Sequence, residues 1–231
     1  MRLTTWNCHH GSCEERLARL ASISPDIAVL QECARPPFEV PGLLWFGDNP
    51  KKGISMFARA PYTLSAIPQD VTVPRYVIPI KVSGPTEFTL LAVWTLNDKP
   101  HQYIRAVAKA LEAYNLLLRN APAVAMGDFN SNAIWDGDHP ADSNHSSVVE
   151  RMTKLKLVSA YHSVRGEEHG SERENTYYHQ WNPLKGFHID YCFVPLAWQH
   201  RISDVQVGSY DDGKEQSDHR PLTVVIGKDG I

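Results

Sequence analysis

"VAMGDFNSN", residues 124–132, runs an apolar, strand-like segment straight into Gly127, Asp128, Asn130 and Asn132. Gly, Asp and Asn supply positive φ and side-chain-to-backbone hydrogen bonds, so a plain turn accounts for the stretch taken alone. A buried strand that delivers a carboxylate and two carboxamides to one end is also what a polar site requires. Whether other strands end in the same way decides between the two readings.

Around this stretch the chain alternates short β-rich runs with a few helical segments. Ser12 and Glu15 have capping-box spacing, and Leu17, Leu20 and Ile23 follow on one face until Pro25. A second helix is expected to open near Pro100 and to carry Tyr103, Ile104, Val107, Leu111, Tyr114, Leu117 and Leu118 on its apolar face, with a third within residues 144–156. The runs "IAVLQE", "GISMFAR", "RYVIPIKV", "FTLLAVWTLN", "AVAMGDFN", "NTYYHQW", "HIDYCFV", "ISDVQVG" and "PLTVVIG" read as strands. Several are apolar on both faces, as strands covered by a second sheet and by outer helices must be. The expected architecture is α/β, two packed sheets flanked by helices, built as one domain over residues 1–231.

Composition narrows the function classes. The 231 residues are 42% hydrophobic, enough for a sizeable core. The N-terminus "MRLTTWNCHHGS" lacks an apolar signal-peptide core and no membrane-length apolar run occurs, which argues for a cytoplasmic protein with no membrane insertion. No obligate protein partner is evident. Cys8, Cys13, Cys33 and Cys192 show no C-x-x-C spacing and read as reduced structural thiols. A net charge of −3 provides no global basic field, so contact with a polyanion must rely on local patches.

The strand ends do repeat the pattern of the opening stretch. "TTWN" ends at Asn7, "AVLQE" at Glu32, "HIDY" embeds Asp190 among apolar residues, and "QSDHRPL" sets Asp218 and His219 before the last strand. An unpaired acid in the Ile189-Asp190-Tyr191 run is costly to bury, and His219 is the obvious partner. Hard oxygen ligands with one imidazole, and no Cys/His metal spacing, favour Mg²⁺ or Mn²⁺. Phosphate esters suit such a set, since a cation, a protonated His and amide donors neutralise the charge of the transition state. No G-x-S-x-G elbow is present, which argues against a serine hydrolase.

In order, "TWN", "LQE", "GDFN", "HIDY" and "SDHRP", from residue 5 to residue 221, resemble the motifs of the endonuclease/exonuclease/phosphatase superfamily. That superfamily includes exonuclease III-like abasic endonucleases, deoxyribonuclease I and neutral sphingomyelinases. The resemblance implies a deoxyribonuclease I-like four-layered α/β sandwich with Mg²⁺-dependent cleavage of phosphoester bonds at one end of the sheets. It makes Glu32 the main metal-binding carboxylate and Asn7 its neighbour. Asp128 orients or deprotonates the attacking water, and Asn130 holds that water or a phosphoryl oxygen. His219, paired with Asp190, donates to the phosphoryl oxygen, and Asp218 completes the acidic floor as a metal ligand or its neighbour.

The pattern also breaks. Many relatives carry a His after a central strand, where this chain reads "LLAVWTLND". Abasic endonucleases use a Tyr and an Asn for that step, which makes Tyr103 and Asn97 candidates, although Tyr103 also fits the helix core. His9 stands where those enzymes often have an acid, and either His9 or its neighbour His10 is a candidate for metal or phosphate contact. Tyr177, Tyr178 and Trp181 precede Asp190 as candidates for base stacking or for sheet packing. Lys51, Lys52 and Arg75 are candidate phosphate contacts or plain surface. A nuclease acting on DNA or RNA is the first reading, a small-molecule or lipid phosphodiesterase or phosphatase the second, and a silent binding module the third.

Overall fold

The computed structural model describes residues 1–227, apart from the side chain of Cys13. Its first six-stranded sheet has the order β13 (Ile202–Val207), β14 (Leu222–Ile226), β1 (Arg2–Asn7), β2 (Ile27–Cys33), β4 (Lys52–Ala58), β3 (Leu43–Asn49). The second has the order β5 (Thr63–Ala66), β6 (Val77–Ser83), β7 (Phe88–Trp94), β8 (Ala123–Asp128), β12 (Asp190–Pro195), β9 (Leu157–Ser159). A small ribbon pairs β10 (Tyr177–Tyr178) with β11 (Gly186–Phe187). Each sheet is mixed. A parallel pair needs a long crossover, and helices supply it: α1 (Cys13–Leu20) links β1 to β2, while α2 (Ile104–Ala113) and α3 (Asn115–Asn120) link β7 to β8.

Alternation along the strands explains the two-faced apolar runs. Val29 points into the core between the sheets with Leu90, Ala92, Met126 and Val224, whereas Ala28 and Leu30 meet Leu20 of α1 on the outer face. Likewise Leu91, Val93 and Ala125 face Val107 and Leu111 of α2 and Met152 of α4 (His145–Lys154). Each such burial is worth roughly 1.5–3 kcal/mol for a Val- or Leu-sized side chain. Helices thus cover both outer faces of the paired sheets, the four-layered arrangement expected. No helix among the described residues is long and apolar enough to cross a membrane. Cys8, Cys33 and Cys192 are buried, and burial pushes the Cys192 thiol up to about 12; the Cys13 thiol lies outside the described residues.

The second helix departs from expectation. Tyr103 takes a left-handed φ of 49° and its N–H is tied to Leu96 O at 2.7 Å, so the helix opens at Ile104 rather than near Pro100. Tyr103 therefore precedes the helix instead of sitting on its apolar face. At Tyr114 (φ −94°, ψ 14°) the helix breaks, and the Tyr114 hydroxyl accepts the Asp70 N–H at 3.0 Å. Of "NTYYHQW" only Tyr177 and Tyr178 form a strand, because Gln180 and Trp181 both take positive φ. Strands β3, β5 and β9 and helix α5 (Ala160–Arg165) were not legible from pattern.

Candidate active site

Gly127 resolves the reading of the opening stretch. A Cβ there would lie 1.8 Å from Val93 O, so glycine lets β8 run alongside β7 as a strand, and Asp128 is the last strand residue rather than part of a turn. The register then sets Asp128 directly opposite Asp190 of β12. Both carboxylates are fully buried. Asn130, at φ 45°, turns the chain: its N–H donates to Asp128 Oδ1 at 2.8 Å, and its Nδ2 donates to Asp128 Oδ2 at 3.1 Å and Thr95 O at 2.9 Å.

His219 joins the two acids. Its Nδ1 lies 2.9 Å from Asp190 Oδ2 and its Nε2 3.9 Å from Asp128 Oδ2. The turn that carries it is anchored to β1: Ser217 Oγ donates to Asn7 O at 2.7 Å and accepts from His219 N at 3.0 Å, and Trp6 Nε1 donates to His219 O at 3.1 Å. Burial opposes a charge on the imidazole, but Asp190 and Asp128 outweigh it and hold His219 up at about 9. Asp128 is raised to about 7, mainly by burial, with Asp190 adding to the rise and His219 opposing it. Asp190 Oδ1 is buried with no hydrogen-bond partner among the described residues, so the His219 proton is the compensation its charge depends on.

A second group borders the first. Asn7 Nδ2 donates to Asp128 Oδ2 at 2.9 Å and lies 3.4 Å from Glu32 Oε1. Glu32 sits on a bulge of β2 at φ 56°, with Oε2 3.2 Å from Lys52 Nζ and 3.4 Å from His10 Nε2. Asp218 Oδ1 lies 3.3 Å from His9 Nδ1. The ligand atoms of His9, His10 and Glu32 fall within 4.8 Å of one another, as do those of Asp128, Asp190 and His219. In the latter trio the close His219–Asp190 pair and the amide donors on Asp128 already occupy much of the bonding capacity. Glu32 instead meets the Lys52 ammonium, the His10 ring and the Asn7 amide, exchangeable side-chain partners that a divalent ion can replace. Asn7 Oδ1 accepts from His9 N and Asp218 Oδ1 faces the His9 ring, so further oxygens lie beside the Glu32 group, and hard oxygens of this kind fit Mg²⁺ or Mn²⁺.

Beside this centre Tyr103, Asn130, Trp135 and Tyr177 line a cleft of about 280 Å³. A larger cavity of about 480 Å³, bounded by Arg75, Tyr76, Trp94 and Thr95, lies at the neighbouring strand end and holds none of the paired acids. The Tyr177 ring is 4.7 Å from that of His219, and burial, with Asp218 and Asp128 nearby, pushes its hydroxyl up to about 12. Trp181, 39% exposed, meets His9 edge-to-face at 4.6 Å. His9, His10, Glu32, Tyr103, Asn130 and Trp181 all have positive φ. Such conformations cost of order 1–3 kcal/mol each and concentrate where geometry serves a site.

Not every expected residue converges. Asn97 is exposed, accepts from Gln102 Nε2 and does not line the cleft. Tyr178 packs against Tyr210 at 4.7 Å and under the Arg220 guanidinium, also outside the cleft lining. Reasoning from sequence left Arg220 unassigned, though it is fully buried, clamped by Tyr178 and Tyr210, and donates to Ser217 O and His219 O at 2.7 Å. Lys52, a candidate phosphate contact or plain surface by sequence, pairs with Glu32 and lies 5.2 Å over the Trp94 ring. Thr95, at the end of the run "LLAVWT", spends its hydroxyl on Phe129 O at 2.7 Å.

The fold and these motifs have counterparts. The 3′-5′ exonuclease NExo of Neisseria meningitidis superposes with a TM-score of 0.68 at 21% identity, covering 99% of this chain and all of that one. A structure described as the 3′ phosphatase NExo from Neisseria bound to product DNA hairpin gives 0.70 at 21% identity over 99% of this chain and 100% of that one. An AP endonuclease from Archaeoglobus fulgidus gives 0.68 at 18% identity, covering 98% and 99%. No curated protein matches the sequence closely enough to stand as a relative. The model of the Endonuclease/Exonuclease/phosphatase family matches residues 4–219, which spans every motif from Asn7 to His219, and the chain belongs to that family.

Proposed function

We propose that the chain is one catalytic domain that hydrolyses phosphodiester bonds of nucleic acid with the help of Mg²⁺ or Mn²⁺. The observation that carries this reading is the buried Asp190–His219–Asp128 array beside an aromatic-lined cleft, next to the Glu32 donor group. Nucleic acid is favoured over a lipid or a small metabolite by Tyr177, which lines the cleft, and by the exposed Trp181 ring against His9, planar rings on which a base can stack. A relative of the same fold is described with a DNA product bound.

Glu32, Asn7 and Asp218 hold the divalent ion. When bound, that ion supplies Lewis-acid stabilisation of charge on the phosphate. His219 stays protonated through neutral pH because Asp190 and Asp128 stabilise its charge, and it donates from Nε2 to a phosphoryl oxygen. Asp190, bound to Nδ1, keeps the imidazole oriented. Asp128 sits near neutrality as a base for the attacking water, fixed from three sides by Asn7 and Asn130. Asn130 and Tyr103, both on the cleft wall, contact the substrate phosphate.

The test is hydrolysis of single-stranded DNA, abasic duplex, RNA, a 3′-phosphorylated oligonucleotide, bis-p-nitrophenyl phosphate and phosphomonoesters, with Mg²⁺ or Mn²⁺ and again after chelation. Metal-dependent cleavage of at least one nucleic acid, faster than that of the small esters, is expected. Activity that persists after thorough metal stripping removes the metal from the reading, and preference for a lipid or metabolite ester removes the nucleic acid.

A further inference from the structure

Behind the same strand ends lies a group of side chains that the phosphoester chemistry does not use. His162, His169 and Glu172 place one ligand atom each within 4.8 Å of one another. His162 Nε2 is 3.1 Å and His169 Nδ1 3.9 Å from Glu172 Oε1, and His145 Nε2 is 3.0 Å from His169 Nδ1. All four side chains are buried or nearly so. Tetrahedral Zn²⁺ with bonds near 2.0–2.1 Å sets its ligands about 3.3 Å apart. The spacings among His162, His169 and Glu172 are of that order, while His145 stands outside this trio and meets it through His169.

The outer atoms are held as metal-site supports usually are. His162 Nδ1 is 2.7 Å from Ser159 Oγ and His145 Nδ1 is 3.2 Å from Ser131 Oγ. Glu172 Oε2 accepts from Asn132 Nδ2 and from Gly170 N, each at 3.0 Å. Such partners fix the ring and leave the inner nitrogen to the ion. The His162 and His169 rings stack at 3.6 Å, an arrangement that two imidazolium cations would oppose and two neutral imidazoles tolerate. Next to them His188 Nε2 is buried without a hydrogen-bond partner. Two imidazoles and one carboxylate suit zinc rather than the hard ion of the Glu32 group.

We propose that His162, His169 and Glu172, with water as a fourth ligand, form a zinc site, separate from the reaction centre, that pins the Ser131–Asn132 segment just beyond Asn130. The ligands come from α5 and from the loop after it, and Glu172, through Asn132, and His145 of α4, through His169 and Ser131, tie them to the loop that carries Asp128 and Asn130.

The full chain is incubated with Zn²⁺ in excess Mg²⁺, desalted and assayed for bound metal. Wild type and Glu32→Gln should each keep one zinc per chain, while His162→Gln and Glu172→Gln should keep none. Should these variants fail to fold, the wild type still decides the matter: Zn²⁺ should raise its Tm, and Co²⁺ in its place should give the intense visible absorption of a tetrahedral site. The proposal is overturned if wild type retains no zinc, if both nest variants retain it as well as wild type does, if only Glu32→Gln loses it, or if the Co²⁺ spectrum is weak and octahedral.

Discussion

Two polar nests share the ends of β8 and β12 and differ in charge. On one side Asp128, Asn130 and Asp190 meet His219; on the other Ser131, Asn132 and Tyr191 meet His145, His162 and His169. In β12 alternation sends Asp190 and its neighbour Tyr191 to opposite nests. Burial opposes imidazole charging in both, yet two carboxylates around one imidazole raise His219 to about 9. Where imidazoles outnumber carboxylates, burial prevails: His145 falls to about 4, and His169, with His162 and His145 adding to the effect, to about 2. The ratio of acids to imidazoles, more than depth, determines which nest carries a proton for chemistry and which offers lone pairs.

The comparison is most exposed to substitutions in the charged nest. His219→Ala should lower kcat by about 10²–10⁴, the range for loss of an acid or charge-stabilising group. Asp190→Asn should do nearly as much, and the double variant scarcely more, since the pair works as a unit. Additive losses in steady-state kinetics would separate the two residues. Glu32→Gln should weaken Mg²⁺ by at least the roughly 10–100-fold seen when a metal site loses a supporting partner, with the fold intact by circular dichroism. Unchanged affinity in a metal titration would take Glu32 out of the donor set. Trp181→Ala should raise KM for an oligonucleotide by the equivalent of about 1–3 kcal/mol and spare bis-p-nitrophenyl phosphate. Equal effects on both substrates would mark Trp181 as packing.

The neutral nest should respond differently. Asn132→Ala removes donors to Glu172, His188 O and Tyr191 Oη, so it should reduce stability by about 1–3 kcal/mol in denaturant titrations and leave the alkaline limb of the pH–rate profile in place. A displaced limb would mean that the two nests are not electrostatically separate.

Legibility followed the same division. Asn7, Glu32, Asp128, Asp190 and His219 stand at the ends or within the span of strongly apolar runs, where a polar residue is conspicuous, and the structure gathers them at one end of the sheets. Gly127 read equally as turn or strand, because its need for the space beside Val93 O is a fact of packing. Tyr177 and Tyr178 differ only in which side of a two-residue strand they occupy, and the pairing with β11 sets that. The second nest draws on residues 145, 162, 169 and 172, whose spacing follows no metal motif; eleven His in the chain was the only hint. Arg220 shows its burial only once Tyr178 and Tyr210 close over it.

The charge difference itself can be read by ¹⁵N NMR titration of the imidazoles in chelated protein. His219 is raised above its unfolded value near 6.5, so its pairing stabilises the fold fully below that pH and loses the contribution as pH rises through about 9. At pH 7 the account predicts an imidazolium spectrum for His219 alongside neutral rings for His145 and His169. A neutral His219 at pH 7, or a protonated His145 or His169, would contradict it.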